Sequence, residues 1–474
     1  MKDTAALPHT TRPAHWRRPT APAVSKPVGG VQARPSETTG ISETSRFSFL
    51  LFCVLTYAVV GRPNDYIVAL VPFRIALVMT AITTAVTLLL HKPGSGNPFR
   101  HREAKLYLVL YGAMLFGIPF AMHRGVTFDL VVITYASNMI YFLLFVTHVT
   151  TQERLRQILW VLVVGALLFT AFGLAFGTVR QDRFFIGSGM YDPNDAAYVE
   201  LALLPFALCI VLGSSGVIRR GASLASALLG TLVALYTGSR GGLLGYLTFL
   251  ILFLNLKIGI LKPIHKIMLL VVVAIAVVMN ADKINTERFM TLTDIQSDYN
   301  YAEEWGRTDV WKNGVIMFLK DPLTGVGANN FAMAIAARRE SFGLLPKWQA
   351  PHNSFVQILT EVGIVGFVAW ILLIHASAKT YWHLRKRSGS AESGELAVWA
   401  GVLFAGFIAQ LVSASFLTMG YSIFFTVYFA LAVAMRQISA TNVDFGTADP
   451  RPEATVKPRL TLAAKRPGGP VPRV

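Results

Sequence analysis

The chain has 474 residues, of which 53% are hydrophobic and only 15% charged, and its mean hydropathy is +0.51. These values exclude the row of soluble domains that length alone would suggest and describe a polytopic membrane protein. The net charge of +17 does not point to nucleic acid, because it follows alternate loops rather than forming one patch.

Residues 1–46, including "TRPAHWRRPTAPAVSKPVGG", lack the apolar core of a signal peptide and read as a disordered cytoplasmic arm. About twelve apolar blocks follow, each near the length needed to cross roughly 30 Å of hydrocarbon. They cover 47–60, 67–90, 106–122, 127–149, 155–177, 196–217, 222–236, 241–256, 264–280, 353–378, 395–416 and 421–436. A transmembrane domain is therefore expected over 47–436. The stretch 437–474, rich in Pro, Arg and Thr, reads as a second disordered cytoplasmic extension. Cys53 and Cys209 both fall inside apolar blocks, so no disulfide framework is implied.

Charge orients the blocks. Lys92, Arg100, Arg102 and Lys105 share one loop, Arg154 and Arg156 the next, then Arg219 with Arg220, Lys257 with Lys262 and Lys266, and Lys379 with Arg385, Lys386 and Arg387. The intervening short loops hold only Arg62, Arg124, Arg180, Arg183 and Arg240. The positive-inside rule places the first set, and both termini, in the cytoplasm. One long loop, about 281–352, then faces outward, with a helix expected over "WGRTDVWKNGVIMFLKD" (305–321) and turns over "PLTGVGANNF" (322–331). Ordered long loops beside a membrane are usually functional.

Three short outward pieces join it: "GRPNDY" (61–66) with Arg62 and Asp65, "RFFIGSGMYDPNDAAYVELALLPF" (183–206), and "YTGSRGGLLGYL" (236–247). In the second, Asp192, Asn194 and Asp195 precede a span. They suit either helix capping with hydrogen bonds across a cavity or oxygen ligation of a divalent cation, and capping is favoured. Arg240 in the third piece is a charge at the membrane face, expensive unless paired or wet. Its planar fork suits phosphate oxygens, and the neighbouring glycines let a ligand approach the backbone. A turn whose arginine snorkels to headgroups is the alternative.

The segment "PHNSFVQILTEVGIVGFVAW" (351–370) begins as a polar loop and ends as a span. Ser354 and Gln357 fit a capping box, and Ser354, Gln357 and Glu361 share one helix face. Capping leaves His352 and Glu361 unexplained. His352 stands at the lip, where an imidazole accepts a proton near neutral pH. Glu361, nine residues further along, points roughly the other way, so the two are not expected to form a dyad.

The order of "TGSRGGLL" (237–244), "GRTDVW…DPLTGVGANNF" (306–331) and "HNSFVQILTEVGIVGF" (352–367) resembles the O-antigen ligase-related family. That family holds O-antigen ligases, lipid-linked polysaccharide polymerases and some protein O-oligosaccharyltransferases. The resemblance spans roughly 190–375, and "MYDPNDAAY" (190–198) is similar to members met among exopolysaccharide genes. It implies an all-α polytopic GT-C-like glycosyltransferase with about twelve transmembrane helices and one long periplasmic loop, in the bacterial inner membrane. It implies an undecaprenyl-diphosphate-linked glycan as donor, with Arg240 holding the diphosphate and His352 activating the acceptor hydroxyl. A second arginine is implied in the large loop, and Arg288 and Arg307 compete for that place. Asn353, Gln357 and Glu361 join Asp192, Asn194 and Asp195 as supporting polar residues. The acceptor is lipid A-core in a ligase, a growing polysaccharide in a polymerase, and a protein in an oligosaccharyltransferase. No metal, other cofactor or nucleic acid is expected. A transporter is the competing class; its charges would sit near the midplane, where Arg74 in the second block is the one candidate.

Overall fold

In a computed structural model, residues 45–90, 98–186, 192–213, 215–255, 262–290, 305–386 and 391–446 are described, all within the unit Ile41–Val474. Most of the expected arm (1–44) and tail (447–474), Tyr191, and 291–304 of the long loop lie outside them, as does the side chain of Asp65. The described chain is an all-α polytopic membrane protein, with one two-stranded sheet as its only strand pair.

Among the described residues, nine helices are long and apolar enough to span a membrane: α2 (Ala69–Leu89), α3 (Arg102–Phe120), α4 (Arg124–His148), α5 (Gln152–Phe176), α6 (Pro193–Leu212), α7 (Val217–Tyr236), α12 (Ser354–Leu384), α13 (Gly394–Ala414) and α14 (Ile423–Gly446). Three shorter apolar helices, α1 (Arg46–Gly61), α8 (Arg240–Asn255) and α9 (Pro263–Val278), occupy the remaining three apolar blocks. The last helix continues past the boundary expected at 436. In the long loop, α10 (Arg307–Lys320) falls where the sequence places it, and α11 (Phe331–Ser341) is an addition.

Burial separates a centre from a rim. The hydrophobic window of α6 is 83% buried and those of α13 and α14 are each 78% buried, against 11% for α2. α6 packs on α5, α7, α8 and α13, which makes it the axis of that half of the bundle. Peripheral helices such as α2 and α9 present Leu, Ile and Val to the outside, as lipid-facing surfaces do.

One irregularity shapes the site. α12 is interrupted at Gly363, whose φ of +74° is a left-handed conformation open to glycine. Into that break the loop inserts its backbone: Val326 N–H donates to Thr360 O (2.9 Å), Gly327 N–H to Glu361 O (3.1 Å), and Ile364 N–H to Pro322 O (2.8 Å). Thr127 Oγ donates to Ala328 O from the other side, and Met122 N–H to Val326 O. Non-helical backbone is tolerated beside lipid only when protein surrounds it and satisfies its polar groups; Gly325, Gly327, Ala328 and Asn330 are buried, while Pro322 and Leu323 at the start of the segment are exposed.

Arg74 is not mid-helix. It sits at φ +43° between a 3-10 turn (Val68–Phe73) and the regular helix Ile75–Leu89, so the candidate midplane charge is a charge at a helix start.

Candidate functional site

The turn between α7 and α8 gathers cations. Gly238 turns the chain with φ +62°, Thr237 Oγ accepts from Ser239 N–H, and Ser239 Oγ accepts from Gly242 N–H to cap α8. Arg240 is the first residue of α8 and partly buried. Arg288, on the short helix Thr286–Met290, donates from Nε to Gly238 O at 2.9 Å, and its own N–H is held by Asn285 Oδ1. A Cβ on residue 238 would lie 3.0 Å from Arg288 Cδ, so glycine there serves the close approach as well as the turn. Arg183 donates from Nε to Thr237 O at 3.0 Å. Three arginines, two of them remote in sequence, therefore meet at one four-residue turn over the N-terminus of a helix. Backbone N–H groups and guanidinium forks together make an anion site.

Arg183 was not among the residues expected to act. It is delivered by a hairpin, β1 (Thr178–Arg180) and β2 (Arg183–Phe185), turning through Gln181 and Asp182, both at positive φ. Gln-Asp is a poor signature for such a turn, which usually advertises itself as Asn-Gly or Asp-Gly.

From Arg183 a polar chain runs toward His352. Arg183 Nη2 donates to Asn194 Oδ1 at 2.9 Å. Asp192 is the N-cap of α6, with Oδ1 accepting from the N–H groups of Asn194 (2.6 Å) and Asp195 (2.9 Å). That is capping geometry, with Pro193 at the first helical position where it forfeits no hydrogen bond. Asp192 also stands near enough to the His352 imidazole to raise its pKa electrostatically.

His352 is fixed from both sides. Trp311 Nε1 donates to Pro351 O at 2.6 Å, and His352 N–H donates to Thr418 Oγ at 3.1 Å. Its φ of +44° is a strained value for a residue other than glycine, of the kind that persists where surrounding contacts over-determine it. Burial, then the positive charge of Arg307, hold its pKa below the ordinary 6.5, opposed by Asp192. Near pH 7 the imidazole is therefore neutral and able to accept a proton. Arg307 and Trp311 lie one helical turn apart on α10, so the tryptophan that pins Pro351 also brings Arg307 to the histidine. The two competing loop arginines thus occupy different places, Arg288 beside Arg240 and Arg307 beside His352.

The expected capping box is corrected. Asn353, not Ser354, is the N-cap of α12, its Oδ1 accepting from Phe355 and Val356 N–H. Ser354 and Gln357 face the turn that follows α13: Ser354 Oγ donates to Leu417 O and accepts from Met419 N–H, and Gln357 Oε1 accepts from Gly420 N–H. An Asn side chain reaches the first free N–H groups as well as Ser does, and it stands one residue earlier.

Glu361 is buried, and none of the hydrogen bonds it makes here goes to His352. Its carboxylate accepts from Asn329 N–H, Phe331 N–H, Tyr421 O–H and, at 3.5 Å, Gln357 Nε2. It fastens the inserted loop to α12 and, through Tyr421, ties both to the turn whose Thr418 holds His352.

Taken together, cations sit over a helix N-terminus and a neutral, anchored imidazole sits at the far end of a short polar chain. Such a site can bind a phosphorylated leaving group and deprotonate a hydroxyl. Residues 225–371 match the family model described as O-Antigen ligase, a segment that contains Arg240, Arg288, Arg307 and His352 but not Arg183 or Asp192. A search of curated proteins found no match.

Proposed function

We propose, on the support of the matched segment 225–371, that the chain is a member of an O-antigen ligase-related family and transfers a glycan from an undecaprenyl-diphosphate carrier to an acceptor hydroxyl, as an O-antigen ligase. It works in the bacterial inner membrane with its site toward the periplasm; the loop charge pattern supports that orientation.

The observation that carries the reading is the gathering of Arg183, Arg240 and Arg288 at the Thr237–Arg240 turn, linked through Asn194 and Asp192 to His352. The acceptor O–H gives its proton to the neutral His352 imidazole. The acceptor oxygen forms a bond to the donor's anomeric carbon as the bond from that carbon to the phosphate oxygen breaks. The lipid diphosphate leaves with the electron pair, and the arginine cluster stabilises the charge that develops on it. Protonated His352 then sits close to Arg307, which favours release of the proton after transfer.

The alternative is a polysaccharide polymerase with the same donor site and a lipid-linked glycan as acceptor, favoured by the "MYDPNDAAY" resemblance; protein O-glycosylation is third. Lipid and polymer analysis of a deletion strain separates them. Accumulated unmodified lipopolysaccharide core supports ligase. Loss of long polymer with a modified core supports polymerase, and an altered glycoprotein supports oligosaccharyltransferase. Unchanged glycans in all three fractions would overturn the transferase reading.

A further inference from the structure

A cavity of about 890 Å³ opens on the same end of the bundle, and neither the arginine cluster nor His352 lines it. Its walls carry Arg62 and Arg74, with Asn64 and Ser137 as further polar groups and Asp129 as the opposing charge. The two arginines come from separate segments, the end of the first span and the start of the second, and both hold left-handed backbone, φ +46° and +43°. The rim beside Arg74 is apolar and outward: Ile67, Val71 and Phe73 are 47%, 53% and 66% exposed. A largely apolar interior that carries two arginines against one aspartate, with an apolar lip, fits an amphiphile with an anionic head and its chains in the bilayer.

The cavity shares a wall with the site. Met419 and Tyr421 line it, one and three residues beyond Thr418, whose hydroxyl holds His352 N–H. Asn329 lines it too, and its N–H is bound by Glu361. An occupant is thereby separated from the imidazole by one turn of chain.

We propose that this cavity seats the phosphate-bearing lipid end of the acceptor, a phosphoglycolipid whose glycan reaches over the 418–421 turn to His352. The inference rests on the transferase reading and narrows it: a ligase or polymerase acceptor carries such a head, and a protein acceptor does not. Arg62 and Arg74 form a second phosphate site, distinct from the diphosphate site at Arg183, Arg240 and Arg288.

The test is labelling of Ser137→Cys with a maleimide in a Cys53→Ser background, in detergent. Short-chain dihexanoyl phosphatidic acid protects the thiol, and dihexanoyl phosphatidylcholine does not. The Arg62→Asn/Arg74→Asn double variant requires about tenfold or more phosphatidic acid for the same protection, as loss of charge-assisted contacts demands. Asparagine tolerates left-handed backbone, so that variant keeps the fold; Arg62→Lys/Arg74→Lys, which retains the charge, recovers part of the protection. Equal protection in the wild type and the asparagine variant, or by both lipids, would overturn the proposal. Inorganic phosphate protecting as well as phosphatidic acid would overturn its lipid part.

Transfer kinetics supply the second arm. The asparagine variant raises the KM for acceptor with little change in donor KM or in kcat at saturating acceptor; a raised donor KM alone would overturn the acceptor assignment. Intact protection in a wild-type protein that transfers no lipid-linked glycan would overturn the transferase reading, and the acceptor role with it, while leaving a lipid-phosphate site.

Discussion

Replacing Glu361 tests whether a carboxylate inside the membrane domain is structural. Its oxygens satisfy two loop N–H groups, those of Asn329 and Phe331 at 3.0 Å each, and the Tyr421 hydroxyl at 2.7 Å. Glu361→Ala leaves one buried donor, Phe331 N–H, and two part-buried ones without an acceptor, at no more than about 1–3 kcal/mol each and hence at most roughly 3–9 kcal/mol in total. That is comparable to the whole stability of a typical domain, about 5–15 kcal/mol, so the inserted segment 322–331 should detach before the bundle melts. Hydrogen exchange in detergent is the assay: the amides of Asn329 and Phe331 lose protection by several orders of magnitude, while those in the buried middle of α6 do not. Glu361→Gln keeps one acceptor oxygen and falls between. Because Glu361 also holds Tyr421, three residues beyond the Thr418 that anchors His352, transfer declines in step with lost protection. Wild-type protection at Asn329 and Phe331 in Glu361→Ala would refute the clamp.

Removing Arg307 takes a positive charge from beside His352, so Arg307→Ala raises the imidazole pKa toward its ordinary value and moves the acid limb of kcat/KM to higher pH. Asp192→Asn, which keeps the cap, moves that limb to lower pH; a limb unmoved in both would contradict the assigned neighbours. Arg183→Ala weakens donor affinity by about ten- to a hundredfold, the usual worth of charge-assisted hydrogen bonds, and Arg183→Lys restores little because the fork is lost; donor titration of the folded variants checks this. Gly363→Ala places a Cβ against the Leu323 carbonyl on backbone at φ +74° and costs about 1–3 kcal/mol from conformation alone, read as a lowered thermal midpoint.

Spans were legible because hydrocarbon imposes a length and a composition on any helix that crosses it. Each of the twelve apolar blocks is a helix, although three are too short to qualify by length. The helix at Arg307–Lys320 and the turn-rich segment after it were equally plain from local pattern. Contacts between segments distant in sequence were not. Nothing in "TVRQDRFF" announces that Arg183 reaches Thr237, since its hairpin lacks the usual glycine. The choice between Arg288 and Arg307 had no local solution either, because each is placed by a remote partner, Gly238 in one case and Pro351 through Trp311 in the other. Ser354 satisfied a local motif, and Asn353 took the cap once Leu417 and Met419 engaged the serine. Capping leaves Glu361 unexplained, because its partners lie about thirty and sixty residues away.

The central claim is that His352 takes the acceptor's proton and the arginine cluster holds the donor. The measurement is transfer rate and lipid-donor affinity on the same folded His352→Gln sample. Glutamine can hydrogen-bond yet cannot act as a base near pH 7, so turnover should fall about 10²- to 10⁴-fold while donor affinity stays near wild type. Near-normal turnover, or lost donor affinity with normal turnover at saturating donor, would contradict the account.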